Sequence, residues 1–291
     1  GSLVGLLLNI GRCDFDIGRF LLNLHPMKSS GKGERVRCSP TTLSETEYIT
    51  DKLNPLEMNK IKDISVVAFD ADDTLWDCQS HFDRVEREYC RLLSSYADAE
   101  TVSRGLFATE GQNMKLLGYG SKAFTISLVE NAVNVSGGQV RAREIAQVVA
   151  LGKQLLHLDA TPLHGVKQVL DRLRSSGNYR LSVFTKGELL DQENKLYRSG
   201  LSDFFDDVTI VSDKTPETFC GLCDKMQVEP ENLLMVGNSL KSDIDPVLRI
   251  GGWGVHVPFR VTWQHEVIDE FSHRRLVTLQ HISELLPLLV E

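Results

Sequence analysis

The sequence of 291 residues has no apolar run approaching about 18 residues, the length a membrane-spanning helix needs. The best candidate, Leu3 to Ile10, is interrupted by Gly5 and followed by Arg12. It has neither a preceding basic residue nor a small-residue cleavage site, so a secretory signal is not expected. Basic residues are also few: 32 against 40 acidic ones leave a net charge of −8. Such a chain has no global field for gripping nucleic acid or an anionic membrane, and neither partner is expected. Six cysteines are too sparse for a disulfide scaffold, which points to a reducing cytoplasm. Cys220 and Cys223 form a C-x-x-C with no second pair at zinc-finger spacing. They fall in a segment that reads as helix, where i and i+3 share a face, so packing is expected rather than metal or redox use.

What is present is enough apolar content for a packed core, 42% of residues. Residues 1–57 show no sustained period and include Ser29-Ser30-Gly31-Lys32-Gly33, so they read as a weakly ordered extension. Met58 stands just ahead of the first strong strand and marks the expected start of the folded unit. From Ile64 the texture changes. Ile64–Phe69, Leu181–Phe184, Asp207–Val211, Leu233–Val236 and Trp253–Val257 are short, β-branched apolar runs, as strands buried on both faces require. Helical periods around Val166–Leu173, Pro216–Met226 and Ile244–Ile250 separate most of them. The alternation predicts an α/β fold with a doubly wound parallel sheet. The long interval after the first strand does not alternate. Phe82 to Tyr96, Phe124 to Val133 and Ile145 to Leu156 each carry a helical period. Residues 80–160 therefore read as an inserted α-helical domain, with 58–79 and 161–291 making the core.

Ligands of open α/β sheets bind outside the carboxyl ends of the strands. The residues there are Asp70-Ala71-Asp72-Asp73-Thr74, Thr185-Lys186-Gly187, Ser212-Asp213-Lys214 and Gly237-Asn238 through Asp243. Paired carboxylates repel, so such a site raises a pKa or attracts a cation. Oxygen-rich acidic sites suit Mg²⁺, which keeps several waters and shares a substrate phosphate. Asp70 can then attack phosphorus as a carboxylate nucleophile. Asp72 is placed to protonate the leaving oxygen and later to deprotonate the attacking water. Thr185 and the Gly187 amide can donate to phosphoryl oxygens, and Lys214 supplies fixed positive charge.

These segments resemble the haloacid dehalogenase superfamily. D-x-D-x-T stands as Asp70 to Thr74, the strand-end hydroxyl as Thr185, the lysine before a helix as Lys214, and a G-D-x-x-x-x-D pattern as Gly237-Asn238 to Asp243. The resemblance spans about residues 60–290. It implies a Rossmann-like core with a helical cap after the first motif. It also implies a phosphatase acting on a small phosphorylated substrate with Mg²⁺, held by Asp70, Asp72, Asn238 and Asp243. Asp72 selects the phosphatase branch, because a halide leaving group needs no proton. One departure stands out. Asn238 replaces the family's acid, and an amide oxygen can ligate Mg²⁺ without contributing charge. Asp243 is left with three roles: direct ligand, water-mediated ligand, or partner of Lys214.

Further candidates for substrate contact are Lys186, and Tyr119 and Lys122 in the cap segment Gly118-Tyr119-Gly120-Ser121-Lys122. That segment reads equally as a helix–helix turn. Trp263, His265 and Glu266 follow the last strand, either at the mouth of the site or as ordinary structural and surface groups. A phosphomutase, a phosphonatase using Lys122, and an inactive binding module share the same core pattern.

Overall fold

The structure, a computed structural model, describes residues 61–290. The extension over 1–57 and the start near Met58 lie outside the described residues. Within them, β1 (Val66–Phe69), β2 (Arg180–Lys186), β3 (Asp207–Val211), β4 (Leu233–Gly237), β5 (Trp253–His256) and β6 (Leu276–Thr278) form one sheet. All pairings are parallel, in the order β3-β2-β1-β4-β5-β6. The strand order reverses between β1 and β4, and a crevice opens at their carboxyl ends.

β1 shows why the sheet has no polar face. Val67 and Phe69 pack into one apolar cluster with Leu181, Val183, Leu234 and Val236. Val66 and Ala68 pack into a second cluster with Phe184, Leu233 and Met235. Both faces are buried, so the run is continuously apolar instead of alternating.

Four helices fill the interval after β1: α1 (Gln79–Leu92), α2 (Ala99–Leu117), α3 (Ser121–Val135) and α4 (Ala142–Leu155). They share a core of their own that includes Val85, Tyr89, Leu106, Phe124, Leu128 and Val148. The two connecting segments run side by side. Trp76 pairs antiparallel with Pro162, and the Leu163 amide donates to the Leu75 carbonyl at 2.8 Å. The insertion thus leaves and re-enters the core through one paired hinge.

On the core, α5 (Val166–Ser176) covers the first face, as does α6 (Leu189–Ser199) through Leu196. α7 (Pro216–Met226) and α8 (Asp245–Arg249) cover the second face, and α9 (Leu285–Leu289) returns to the first. Cys220 and Cys223 are buried in α7, where they pack with Phe219 and Met226.

The structure adds four elements that the periodicity misses. α9 has only five residues. α2 carries Gly105 and Gly111, and polar residues interrupt its apolar positions. α6 buries Asp191, Gln192 and Lys195 on its inner face, so its apolar period is broken by functional polar groups. β6 has only three residues. The helix expected over Ile244–Ile250 begins earlier, as a widened π turn at Leu240–Ile244 that leads into α8. No described helix is long and apolar enough to cross a membrane.

Candidate active site

Asp70, the residue after β1, is 6% exposed, and Lys214, just ahead of α7, is 5% exposed. Lys214 is positioned by a helix cap. Thr215 accepts from the Thr218 amide, and Pro216 opens the helix. The Lys214 Nζ lies 2.5 Å from Asp70 Oδ1 and 2.6 Å from Asp243 Oδ1. Asp243 comes from the turn after β4, and its Oδ2 accepts from the Ser239 amide at 2.9 Å. This close approach depends on Gly237, because a Cβ there would lie 2.2 Å from Asp243 Oδ2. Of the three roles open to Asp243 in the sequence, the structure shows the pairing with Lys214.

Burial pushes the Asp70 carboxyl up, Lys214 opposes this, and the nearby Asp243 and Asp72 carboxylates add to it, leaving Asp70 at about 7. Two carboxylates around one ammonium leave excess negative charge, which a divalent cation or a protonated form would relieve. Burial would lower the Lys214 ammonium, but Asp243 and Asp70 outweigh it and raise its pKa.

Asp72 sits in a different setting. Its carboxylate accepts from Lys195 Nζ at 2.7 and 2.8 Å, from Gln192 Nε2 at 2.9 Å and from Trp76 Nε1 at 2.7 Å. Burial favours the neutral acid. Lys195 and the two neutral donors outweigh burial, so the net shift is downward. The Asp72 carboxylate is thus held ionised and committed to side chains, in contrast to the direct metal contact expected from sequence. Asp73 accepts from the Cys78 and Gln79 amides at 2.8 and 2.9 Å, while burial raises its pKa to about 7.

Asp70, Asp72, Thr185, Lys186, Gly187, Lys214, Asn238 and Asp243 all line one cavity of about 160 Å³, together with Tyr119. Within it Gly187 differs from expectation. Its amide donates to the Val211 carbonyl at 3.1 Å, continuing the β2–β3 ladder, so it has no free N–H for a phosphoryl oxygen. Glycine is required there by a φ of +142° and by the Gln192 side chain, 2.9 Å from where a Cβ would stand. Lys186 bonds Glu266 and donates to Ser242 Oγ at 2.8 Å. It also lies over the Tyr119 ring, 4.3 Å from the centroid, which joins core to insertion. Lys122 lies outside the cavity. It pairs with Glu188 at 3.0 Å and is half exposed, because Glu188 caps α6 next to the start of α3.

Trp263 and Glu266 line the cavity; His265 stacks on Phe107 of α2 with centroids 4.0 Å apart. Glu266 also accepts from Ser239 and Ser242, each at 2.5 Å.

The residues fit a hard divalent cation in part. Thr74 Oγ1 lies 3.1 Å from Asp70 Oδ2 and 3.3 Å from Asn238 Oδ1, so one hydroxyl ties a carboxylate oxygen and an amide oxygen together. Both Asp243 oxygens are already engaged. Among the described residues no group of three or more His, Cys, Asp or Glu side chains could hold a metal ion. One carboxylate, one amide and open positions match the way Mg²⁺ is held with water and substrate phosphate rather than in a protein cage.

Sequence reasoning passed over Lys195, Gln192, Asp191 and Glu110. The first three lie on one face of α6 near residues 191 to 195, a polar cluster that reads as surface until the helix is docked. Glu110 belongs to α2 and lines the cavity from the insertion.

The haloacid dehalogenase-like hydrolase family profile matches residues 64–251. A glyceraldehyde 3-phosphate phosphatase of Methanothermobacter thermautotrophicus is 27% identical over 234 residues, covering 76% of this chain and 98% of that protein. An N-acylneuraminate-9-phosphatase of Rattus norvegicus is 27% identical over 128 residues, 42% of this chain and 51% of its own. The crystal structure of a haloacid dehalogenase-like family hydrolase from Xanthomonas campestris has 34% identity and a TM-score of 0.67, covering 75% of this chain and 87% of its own. With a matched profile over most of the chain and a parallel sheet that brings the four motif segments to one crevice, this protein belongs to the haloacid dehalogenase-like hydrolases.

Proposed function

We propose that the chain is a Mg²⁺-dependent phosphomonoester hydrolase of the cytoplasm, acting on a small phosphorylated metabolite through an aspartyl-phosphate. The observation that carries this reading is Lys214 bridging Asp70 and Asp243 at 2.5 and 2.6 Å inside a small buried cavity. The names of the phosphatase relatives, each with a small phosphorylated substrate, support the same class.

In this mechanism an Asp70 oxygen attacks phosphorus in line while the ester oxygen departs. Lys214 offsets the charge on the nucleophile before attack and on the phosphoryl oxygens during it. The Thr185 hydroxyl, 2% exposed at the end of β2, orients the phosphoryl group. Mg²⁺, held by Asp70 and Asn238, would supply charge stabilisation of the phosphoryl oxygens and template the in-line geometry. Asp72 enters the cycle protonated, gives that proton to the leaving oxygen and recovers one from the water that opens the aspartyl-phosphate. The ionised form that Lys195 holds is the one left after the first half-reaction and needed by the second.

The test is turnover of p-nitrophenyl phosphate with and without Mg²⁺ in wild type and Asp70→Asn. Wild type turns over only with the metal, and the variant not at all. Equal activity in the two proteins would remove the mechanism. The placement of Lys122 outside the cavity counts against a Schiff-base phosphonatase, and product analysis separates hydrolase from phosphomutase.

A further inference from the structure

The cavity carries acceptor oxygens that the phosphoryl chemistry does not use. Glu110 faces it from α2, half-buried, and forms no hydrogen bond or ion pair among the described residues. Its one charged neighbour is Glu86, which accepts from Ser103. Asn113, one turn further along α2, spends its amide N–H groups on Ser127 Oγ at 3.1 Å and Glu130 at 2.8 Å. Only its carbonyl oxygen is left to offer. Asp191 and Gln192 line the same cavity and are each 4% exposed. Asp191 Oδ1 and Gln192 Oε1 are buried without a hydrogen-bond partner among the described residues. Buried acceptors left without donors cost stability, which makes the two on Asp191 and Gln192 informative, and the half-buried Glu110 and Asn113 add open acceptors to the same cavity.

All four offer acceptor oxygens, Glu110 through both of its oxygens once it ionises above a value near 8. Phe82, Met114 and Phe124 supply apolar surface beside them. The cavity lining holds eight carboxyl side chains and two lysines, and both lysines are already bonded to carboxylates. A ligand group that donates hydrogen bonds fits these acceptors. A second anion would find no uncommitted cation in the cavity among the described residues and, once Glu110 ionises above a value near 8, a negative charge beside it.

We propose that Glu110, with Asn113, Asp191 and Gln192, forms a subsite for the hydroxyl groups of an uncharged polyol leaving group and excludes phosphate esters that carry a second anion. The proposal rests on the phosphomonoester hydrolase reading and adds its substrate class. A hydroxyl donates to these oxygens, while its carbon skeleton lies on the apolar surface. Glu110 is a specificity-determining group here and takes no part in bond breaking.

The experiment compares kcat/KM for glycerol 3-phosphate and 3-phosphoglycerate, whose skeletons match except that one carries a carboxylate. It is run with Mg²⁺ at pH 8.5, above the value near 8 at which burial and Glu86 hold the Glu110 carboxyl. Wild type should favour glycerol 3-phosphate by about tenfold or more, the ratio a modest charge repulsion produces. Glu110→Gln should narrow that ratio, and Glu110→Lys should bring it to unity or invert it, mainly through KM for 3-phosphoglycerate. If Glu110→Lys fails to fold by circular dichroism, the Gln variant decides alone. Equal use of the two esters by wild type, or an unchanged ratio in Glu110→Gln, overturns the subsite. Absence of p-nitrophenyl phosphate turnover by wild type would instead overturn the hydrolase reading.

Discussion

On the sheet side of the cavity, every lysine is bonded to a carboxylate. Lys214 lies between Asp70 and Asp243, Lys195 holds Asp72, and Lys186 is bonded to Glu266. On the side of the helical insertion, Glu110 meets no cation and the Asn113 carbonyl meets no donor among the described residues. The difference separates two tasks. The sheet side must hold reacting groups in one geometry whatever the substrate, and buried pairs resist displacement because removing one partner strands the other. The insertion side must leave polar capacity open, since a group satisfied within the protein cannot discriminate between ligands.

The sharpest way to break this comparison is one substitution made in both regions. Gly237→Ala puts a methyl where Asp243 Oδ2 would be 2.2 Å away, and Gly152→Ala puts one 2.1 Å from Thr125 Oγ1 between α4 and α3. In the sheet, Asp243 must retreat and Lys214 loses a partner, so kcat for an aryl phosphate should fall by about 10²-fold, the effect of a displacement of roughly 1 Å at reacting groups. In the insertion, overpacking should cost about 1–3 kcal/mol of stability, read by thermal melting, with kcat little changed. A Gly237→Ala protein with wild-type kcat would show that Asp243 need not sit where it does.

Lys195 sharpens the same contrast, because it is a matched charge that touches both regions. It bonds Asp72 at 2.7 Å and lies 4.0 Å from Asp191, whose Oδ2 accepts from Ser121 at the start of α3 at 3.0 Å. Lys195→Met keeps the volume and removes the charge. Asp72 then retains only Gln192 and Trp76, and kcat should fall by up to about 10²-fold, the lower range for displaced general acid–base groups. KM should move little, and Lys195→Arg should restore part of the loss. A Met variant with unchanged kcat would mean Asp72 needs no ammonium beside it.

How far each region was legible in the sequence follows the same division. β1, β2, β4 and β5 have residues buried on both faces, so their apolar runs stand out, whereas the edge strand β3 is only half-buried; the acids, threonine and lysine that follow these runs mark the crevice directly. α6 was missed because its inward face carries Asp191, Gln192 and Lys195, which are polar for the sake of Asp72 and so erase the apolar period. α2 was missed because Gly105, Gly111 and polar residues interrupt its apolar positions, although Val102 and Leu106 enter the insertion's core. Lys122 and Gly187 misled for a related reason. Each stood beside a site residue in sequence, but one is taken up by Glu188 and the other by the β2–β3 ladder. Spacing along the chain reports which groups are near, while the partner each has already taken is settled only by the fold.

The smallest expected effect tests whether the insertion bears a cost for its open carboxyl. Glu110 is held near 8 by burial and by Glu86, against an ordinary 4.5. The folded state therefore binds more protons than the unfolded chain between those values, and stability must fall as pH rises through that window. Glu110→Gln removes this dependence while keeping the shape. The variant should gain melting temperature relative to wild type progressively from pH 5 to pH 9, by a few degrees at most for a partly exposed group, with the smallest difference at the acidic end. The opposite slope, with the Gln variant losing ground as pH rises, would mean that an unseen donor stabilises the Glu110 carboxylate. The insertion wall would then be as fully matched as the sheet wall. A gain in the expected direction marks Glu110 as a group retained against stability, as residues serving recognition often are.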